Sequence, residues 1–165
     1  MREILEAVER ALPRLLLDEQ RWQGKFIDYH PPFVERLWLA WEGDCRVNLH
    51  RLLPCESSAA LFHPHPWPSI MRVLSGTYEM AVGYGPGQIT PPPAAVLTVS
   101  GDLIYEMSEK DAWHYVRPVG EPCYSLMISG PPWDRWSPAA SKPLSALDEE
   151  QRQRIFTFFR TRYPT

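Results

Sequence analysis

Eighteen prolines punctuate these 165 residues, and their placement limits the fold more than any other feature. They gather at 64–68, 91–93 and 131–132, between runs of apolar residues. Proline has no backbone donor and a fixed φ, so it is poorly tolerated in central strands and helix interiors but suits loops and strand ends. Between the clusters lie short β-like runs: "ERLWLAWE", "CRVNLHRLL", "SIMRVLSGTYEMAVGYG", "AAVLTVS", "DLIYEMS", "AWHYVRP" and "CYSLMISG". Turn signals such as "EGD", "PGQITPPP", "SGD" and "SEKD" separate them. Seven or more short strands at this spacing predict a mainly all-β fold, an antiparallel barrel or sandwich.

Both ends read differently. Ile4, Leu5, Val8, Ala11, Leu12, Leu15 and Leu16 recur at helical spacing, interrupted only by Pro13. The closing stretch "SALDEEQRQRIFTFFRTRY" reads as a second helix, with Ser145 as a cap, acidic residues early and Arg160 and Arg162 late. The expectation is one domain over 1–165: a helical segment at about 1–20, a barrel at about 33–132 and a helix at about 145–163. The chain is long enough to bury one core.

A net charge of −3 gives no footprint for nucleic acid or an anionic membrane surface. No apolar run approaches the roughly 20 residues of a membrane span, and the acidic, amphipathic start does not read as a signal peptide. Cys45, Cys55 and Cys123 are odd in number and form no CxxC pair. They fit reduced thiols in a cytoplasmic protein better than a disulfide framework or a zinc site.

Two of the five histidines, His63 and His65, flank Pro64 just before an apolar run. A residue preceding proline prefers an extended backbone, in which residues i and i+2 point the same way. Both imidazoles can then reach one metal ion. A third ligand must come from elsewhere, and His114 in "DAWHYVRP" sits on a β-like run that an adjacent barrel strand could bring opposite the pair. His30 reads as a turn residue and His50 as a packed or surface residue. Trp67 and Trp113 flank histidines and suit packing that excludes water.

These residues resemble the cupin family. Its first motif places two histidines one apart, then a Glu, then a Gly closing a turn; this chain offers His63, His65 and Gly76, with Ser69 where the Glu stands. Its second motif runs from Gly-Asp to a His, here Gly101-Asp102 to His114. The resemblance covers roughly 45 to 130 and implies a cupin-type antiparallel β-barrel, or jelly roll. With three histidines and no carboxylate, the chain looks like a distant member of the branch that includes the thiol (cysteine) dioxygenases. "RVNLHRLLPCESSAALFHPH" and "CYSLMISGPPWD" are similar to their strands.

That resemblance implies a metal held by His63, His65 and His114, foremost Fe(2+), with Ni(2+) and Zn(2+) as alternatives, and a small organic substrate with O2. It places Arg36 near the family's carboxylate-binding arginine. The branch's Ser-x-His-x-Tyr run aligns with Ser125, Met127 and Ser129; only Ser125 matches, which makes it a substrate-binding candidate, and free cysteine is expected to be a poor substrate. Arg72 and Arg46 are further candidates to pair a substrate carboxylate, and the strand alternation offers Tyr78 or Met80 to a pocket. A non-enzymatic cupin that binds a metal or ligand, and a zinc or nickel cupin of another reaction class, are the alternative functions; a homodimer stays open as the assembly.

Overall fold

The computed structural model describes residues 1–165. Ten strands follow one another: β1 (Gln23–Ile27), β2 (Val34–Ala40), β3 (Arg46–Leu52), β4 (His63–Pro64), β5 (Ser69–Ser75), β6 (Thr77–Tyr84), β7 (Ala95–Ser100), β8 (Ile104–Met107), β9 (Ala112–Pro118) and β10 (Cys123–Ser129). Helix α1 (Arg2–Leu15) precedes them and α2 (Glu149–Arg162) closes the chain. The strands form a six-stranded sheet, β1-β2-β3-β10-β5-β8, and a four-stranded sheet, β4-β9-β6-β7. Every pairing is antiparallel. The architecture is the expected cupin-type jelly roll with flanking helices.

The run read as one strand, 69–84, is two. Gly76 at φ +78° breaks it, and the halves enter different sheets. A Cβ at this position would stand 2.5 Å from the Cys123 sulfur, so both the turn and the close approach require glycine. The sheet also begins earlier than the expected boundary near 33: β1 pairs with β2 from Gln23 onward. Helix α2 starts later than Ser145. Its cap is Asp148, whose carboxylate accepts from the Gln151 amide while the Gln151 side chain accepts from the Asp148 amide.

The two faces of the six-stranded sheet bury different things. Leu37 of β2 pairs with Leu49 of β3, which pairs with Leu126 of β10, so all three point to one side. That side carries both helices. Leu5, Val8 and Leu12 of α1 and Ile155, Phe156 and Phe159 of α2 are fully buried against it in the largest apolar cluster. Arg160 ties the helices together by donating to the Leu16 carbonyl and the Glu19 carboxylate. The opposite face looks into the barrel. One end of the barrel is filled by Val73, Tyr78, Met80, Val99 and Cys123. The other end is open.

All three cysteines are free thiols, Cys45 and Cys123 buried. No helix is long and apolar enough to cross a membrane.

Candidate metal centre

The open end of the barrel holds a cavity of about 240 Å³, large enough for a small ligand. All five histidines of the chain line it, together with Arg36, Met71, Met127 and a few apolar residues; no acidic side chain does.

Strand pairing gathers the three expected ligands. His63 lies directly opposite His114 in the β4–β9 ladder, and His65 follows on the same side beyond Pro64. The ring centres of His63 and His65 stand 4.9 and 4.8 Å from that of His114. Imidazoles sharing one ion through bonds of about 2.1 Å have centres roughly 4.5 Å apart at right angles and roughly 5.2 Å apart at the tetrahedral angle. His114 thus neighbours each of the other two rings at that spacing. No three His, Cys, Asp or Glu side chains are gathered closely enough here to hold a metal ion.

Hydrogen bonds to main-chain carbonyls fix two of these rings. His63 Nδ1 donates to the Leu61 carbonyl at 2.8 Å and His65 Nδ1 to the Trp67 carbonyl at 2.7 Å. A proton held on Nδ1 leaves the Nε2 lone pair free, the arrangement by which backbone carbonyls fix ligating histidines. His114 Nδ1 is buried without any partner, so this ring is not anchored through hydrogen bonds. Burial holds His63 and His65 at a pKa of about 4, and burial with its imidazole neighbours holds His114 well below the ordinary range. All three are neutral at pH 7, as ligation requires. The donor set fits a divalent transition metal of the imidazole-preferring kind. Ser69, in the place of a carboxylate ligand, is buried with its hydroxyl 3.5 Å from His65 Nδ1.

A second device stands on the facing sheet. Arg36 of β2 pairs in register with His50 of β3, and the Arg36 Nε donates to His50 Nε2 at 2.8 Å. That bond fixes the His50 proton on Nδ1. Burial, with the guanidinium beside it, holds His50 well below the usual imidazole range. Burial also lowers Arg36, to about 10, which leaves it a cation at neutral pH. No carboxylate lines the cavity, so the half-buried Arg36 cation has no acidic partner on its wall.

The other candidates are placed elsewhere. Arg72 corrects the substrate-binding reading: it pairs with Leu126 in register, so it points to the helix side, where it meets Glu9 of α1 at 2.9 Å. Tyr78 faces the barrel interior but in its filled end, its hydroxyl donating to Tyr105 at 2.9 Å; Met80 packs beside it. Ser125 points inward next to His50, fully buried, and does not reach the cavity wall; its hydroxyl has no partner. Arg46 lies over the Trp38 ring at 5.0 Å. Met127 does line the cavity, so no acid–base group stands at that position of β10. Trp67 lines the wall, and Trp113 packs behind it against Phe62 and under Arg135.

Sequence reading missed His30 and His50. His50 was signalled by its parity with Arg36: both sit on the strand positions opposite to the leucines. His30 lies in the β1–β2 connection, and no spacing rule points from there to the barrel mouth.

No protein-family model matches the sequence, and no curated protein matches it. Solved structures do. The hydroxypropylphosphonic acid epoxidase from S. wedmorenis aligns with a TM-score of 0.51 at 13% identity, over 64% of this chain and 55% of that one. The Schizosaccharomyces pombe Cnp3 cupin domain aligns with a TM-score of 0.45 at 12% identity, over 59% and 64%. A DMSP lyase structure aligns with a TM-score of 0.43 at 16% identity, over 59% and 47%. The chain spans about half the length of the epoxidase and lyase structures it matches. At these identities the likeness to the epoxidase is one of fold, and that fold is cupin-like.

Proposed function

We propose that this chain is a metal-dependent cupin enzyme, a mononuclear non-haem Fe(II) dioxygenase acting on a small anionic substrate that can chelate the metal. The observation that supports it is the pairing of three adjacent neutral imidazoles with an arginine that has no acidic partner, inside one cavity without carboxylates. His63, His65 and His114 would hold the ion. When bound, iron would supply Lewis acidity and one-electron chemistry toward O2.

The chain's own residues then divide the remaining work. Arg36 binds the anionic end of the substrate through the guanidinium nitrogens that His50 leaves free, a fork suited to a carboxylate or similar group. His50 accepts from Nε and so fixes the guanidinium plane. Val34, Leu52, Met71 and Met127 keep water from the reacting atoms. No side chain at Met127 can move a proton, which argues against free cysteine as the substrate.

The test is elemental analysis of freshly purified protein, followed by oxygen uptake with Fe(II)-loaded protein across thiols and β-dicarbonyls. One divalent metal per chain and uptake that depends on a chelating anion are expected. Rapid uptake with cysteine would overturn the substrate assignment. Iron-loaded protein that consumes no oxygen with any chelator would favour a non-enzymatic cupin. The missing acid–base group at Met127 favours that second reading, and zinc or nickel as the native metal would point to another reaction class.

A further inference from the structure

We propose that β7 is the seam of a two-fold dimer, in which the β7 strands of two copies of this chain pair antiparallel and join their four-stranded sheets into one sheet of eight. The inference is independent of the metal-site reading, because β7 contributes no residue to the cavity.

An edge strand presents a row of unpaired main-chain donors and acceptors, and proteins guard such edges with charge, proline, brevity or a covering segment. Three of the four sheet edges here are guarded. β4 is only His63–Pro64, and its proline has no donor. β1 carries the exposed Lys25 and is covered in part by Ser145, whose carbonyl accepts from the Phe26 amide. β8 is four residues long and carries the exposed Glu106. β7 has six residues, no charge and no proline. No charged residue stands anywhere from Met80 to Gly101.

The side chains of β7 are left uncovered to match. Its ladder with β6 sets Leu97 opposite Met80 and Val99 opposite Tyr78, so Leu97 and Val99 face the barrel interior. Val99 is buried, yet Leu97 is 45% exposed, an inward-facing leucine without cover on the side away from β6. Val96 on the outer face is 57% exposed. Tyr84, Ile89 and Leu103, in the segments that flank β7, are exposed as well.

A second copy is the occupant that fits. The chain has a net charge of −3, so two copies repel except across a neutral face, and β7 is the neutral edge. Antiparallel pairing of identical strands closes on itself, and the two inner faces stay on one side only when the axis passes through a residue. An axis at Leu97 sets that leucine against its own copy and Val96 against Thr98 of the second copy. Assembly stops at two, because both outer edges of the joined sheet are then β4. Six strand residues and their flanks fall short of the roughly 20–30 residues a side of a standard interface, so the dimer dissociates on dilution.

Sedimentation equilibrium of the full chain over a concentration series tests this. Wild type is expected to pass from monomer to dimer. Val96→Glu and Thr98→Lys, both at exposed outward positions, should each raise the dissociation constant about tenfold or more, since a charge then enters a neutral seam. An equimolar mixture of the two variants should recover the dimer, because the introduced charges oppose each other across the Leu97 axis. Circular dichroism and thermal melting establish that each variant is folded. A wild type that stays monomeric up to about 1 mM, a dimer indifferent to both substitutions, or assemblies larger than two would overturn the proposal. A mixture of folded variants that stays monomeric would overturn the pairing at Leu97.

Discussion

The two faces of the six-stranded sheet are made from the same strands and do opposite jobs. On the helix side, Leu37, Leu49, Leu126 and Ile128 meet two amphipathic helices, and the charges there have opposite partners: Glu35 with Arg51 and Arg154, Glu9 with Arg72. On the barrel side, one residue along each strand, Arg36, His50 and Ser125 stand together with no acid beside them. Stability is concentrated where the apolar area is, and chemistry where the polar groups are left incompletely partnered. The larger apolar cluster lies under the covering helices and the smaller one fills one end of the barrel, which leaves the other end free to be polar.

The largest effect should come from the helix side. Phe156→Ala removes a fully buried ring that meets Trp22 edge-on and lies under Arg152 and Arg160. It should cost about 4 kcal/mol in chemical denaturation while the folded fraction keeps its metal affinity. A parallel loss of affinity would show that the two faces are not independent.

Acid comes next and acts on the barrel side. His63 and His65 are held at about 4, against an unfolded value near 6.5. The unfolded chain therefore takes up protons first. Metal-free protein should be fully stable above about pH 6.5 and weaken as pH falls toward 4, by about 2 kcal/mol at pH 5 for each of the two. Denaturation midpoints that do not move between pH 7 and pH 5 would mean the cavity is wetter than its geometry implies.

Two smaller effects sharpen the contrast. Asp148→Ala removes the cap of α2 and should cost about 1 kcal/mol, with no change in ligand binding. Arg36→Met removes a half-buried cation without an acidic partner and should leave stability within about 1 kcal/mol of wild type. The same variant should lose the thermal protection that anionic chelators give the metal-loaded protein. A large destabilisation by Arg36→Met would assign that residue to the core and not to the ligand.

The same asymmetry explains what the sequence revealed. The β-rich middle of the chain, the helices at both ends and the approach of His114 to His63 were legible because each rests on local periodicity or on a short cross-strand pairing. Arg36, His50 and Ser125 were harder to place, since a polar residue alternating with leucines looks the same whether it faces solvent or a barrel lumen. Arg72 misled for that reason in reverse. Only the register, with Met71 opposite Met127 and Arg72 opposite Leu126, sends it to the helices. His30 could not be read at all, because its place depends on where the β1–β2 connection crosses the barrel mouth.

One wall of the cavity belongs to neither sheet. Ser137 and Pro138 come from the irregular segment between β10 and α2, fastened by the Trp133 amide on the Pro66 carbonyl and by Arg135 on the carbonyls of Gly85, Lys110 and Ala112. Those fasteners grip main-chain oxygens, which are present whatever side chains the barrel carries. The shape of the cavity can therefore drift through this segment alone, by substitution or insertion at 136–140, with no strand shifted in register and none of His63, His65 and His114 moved.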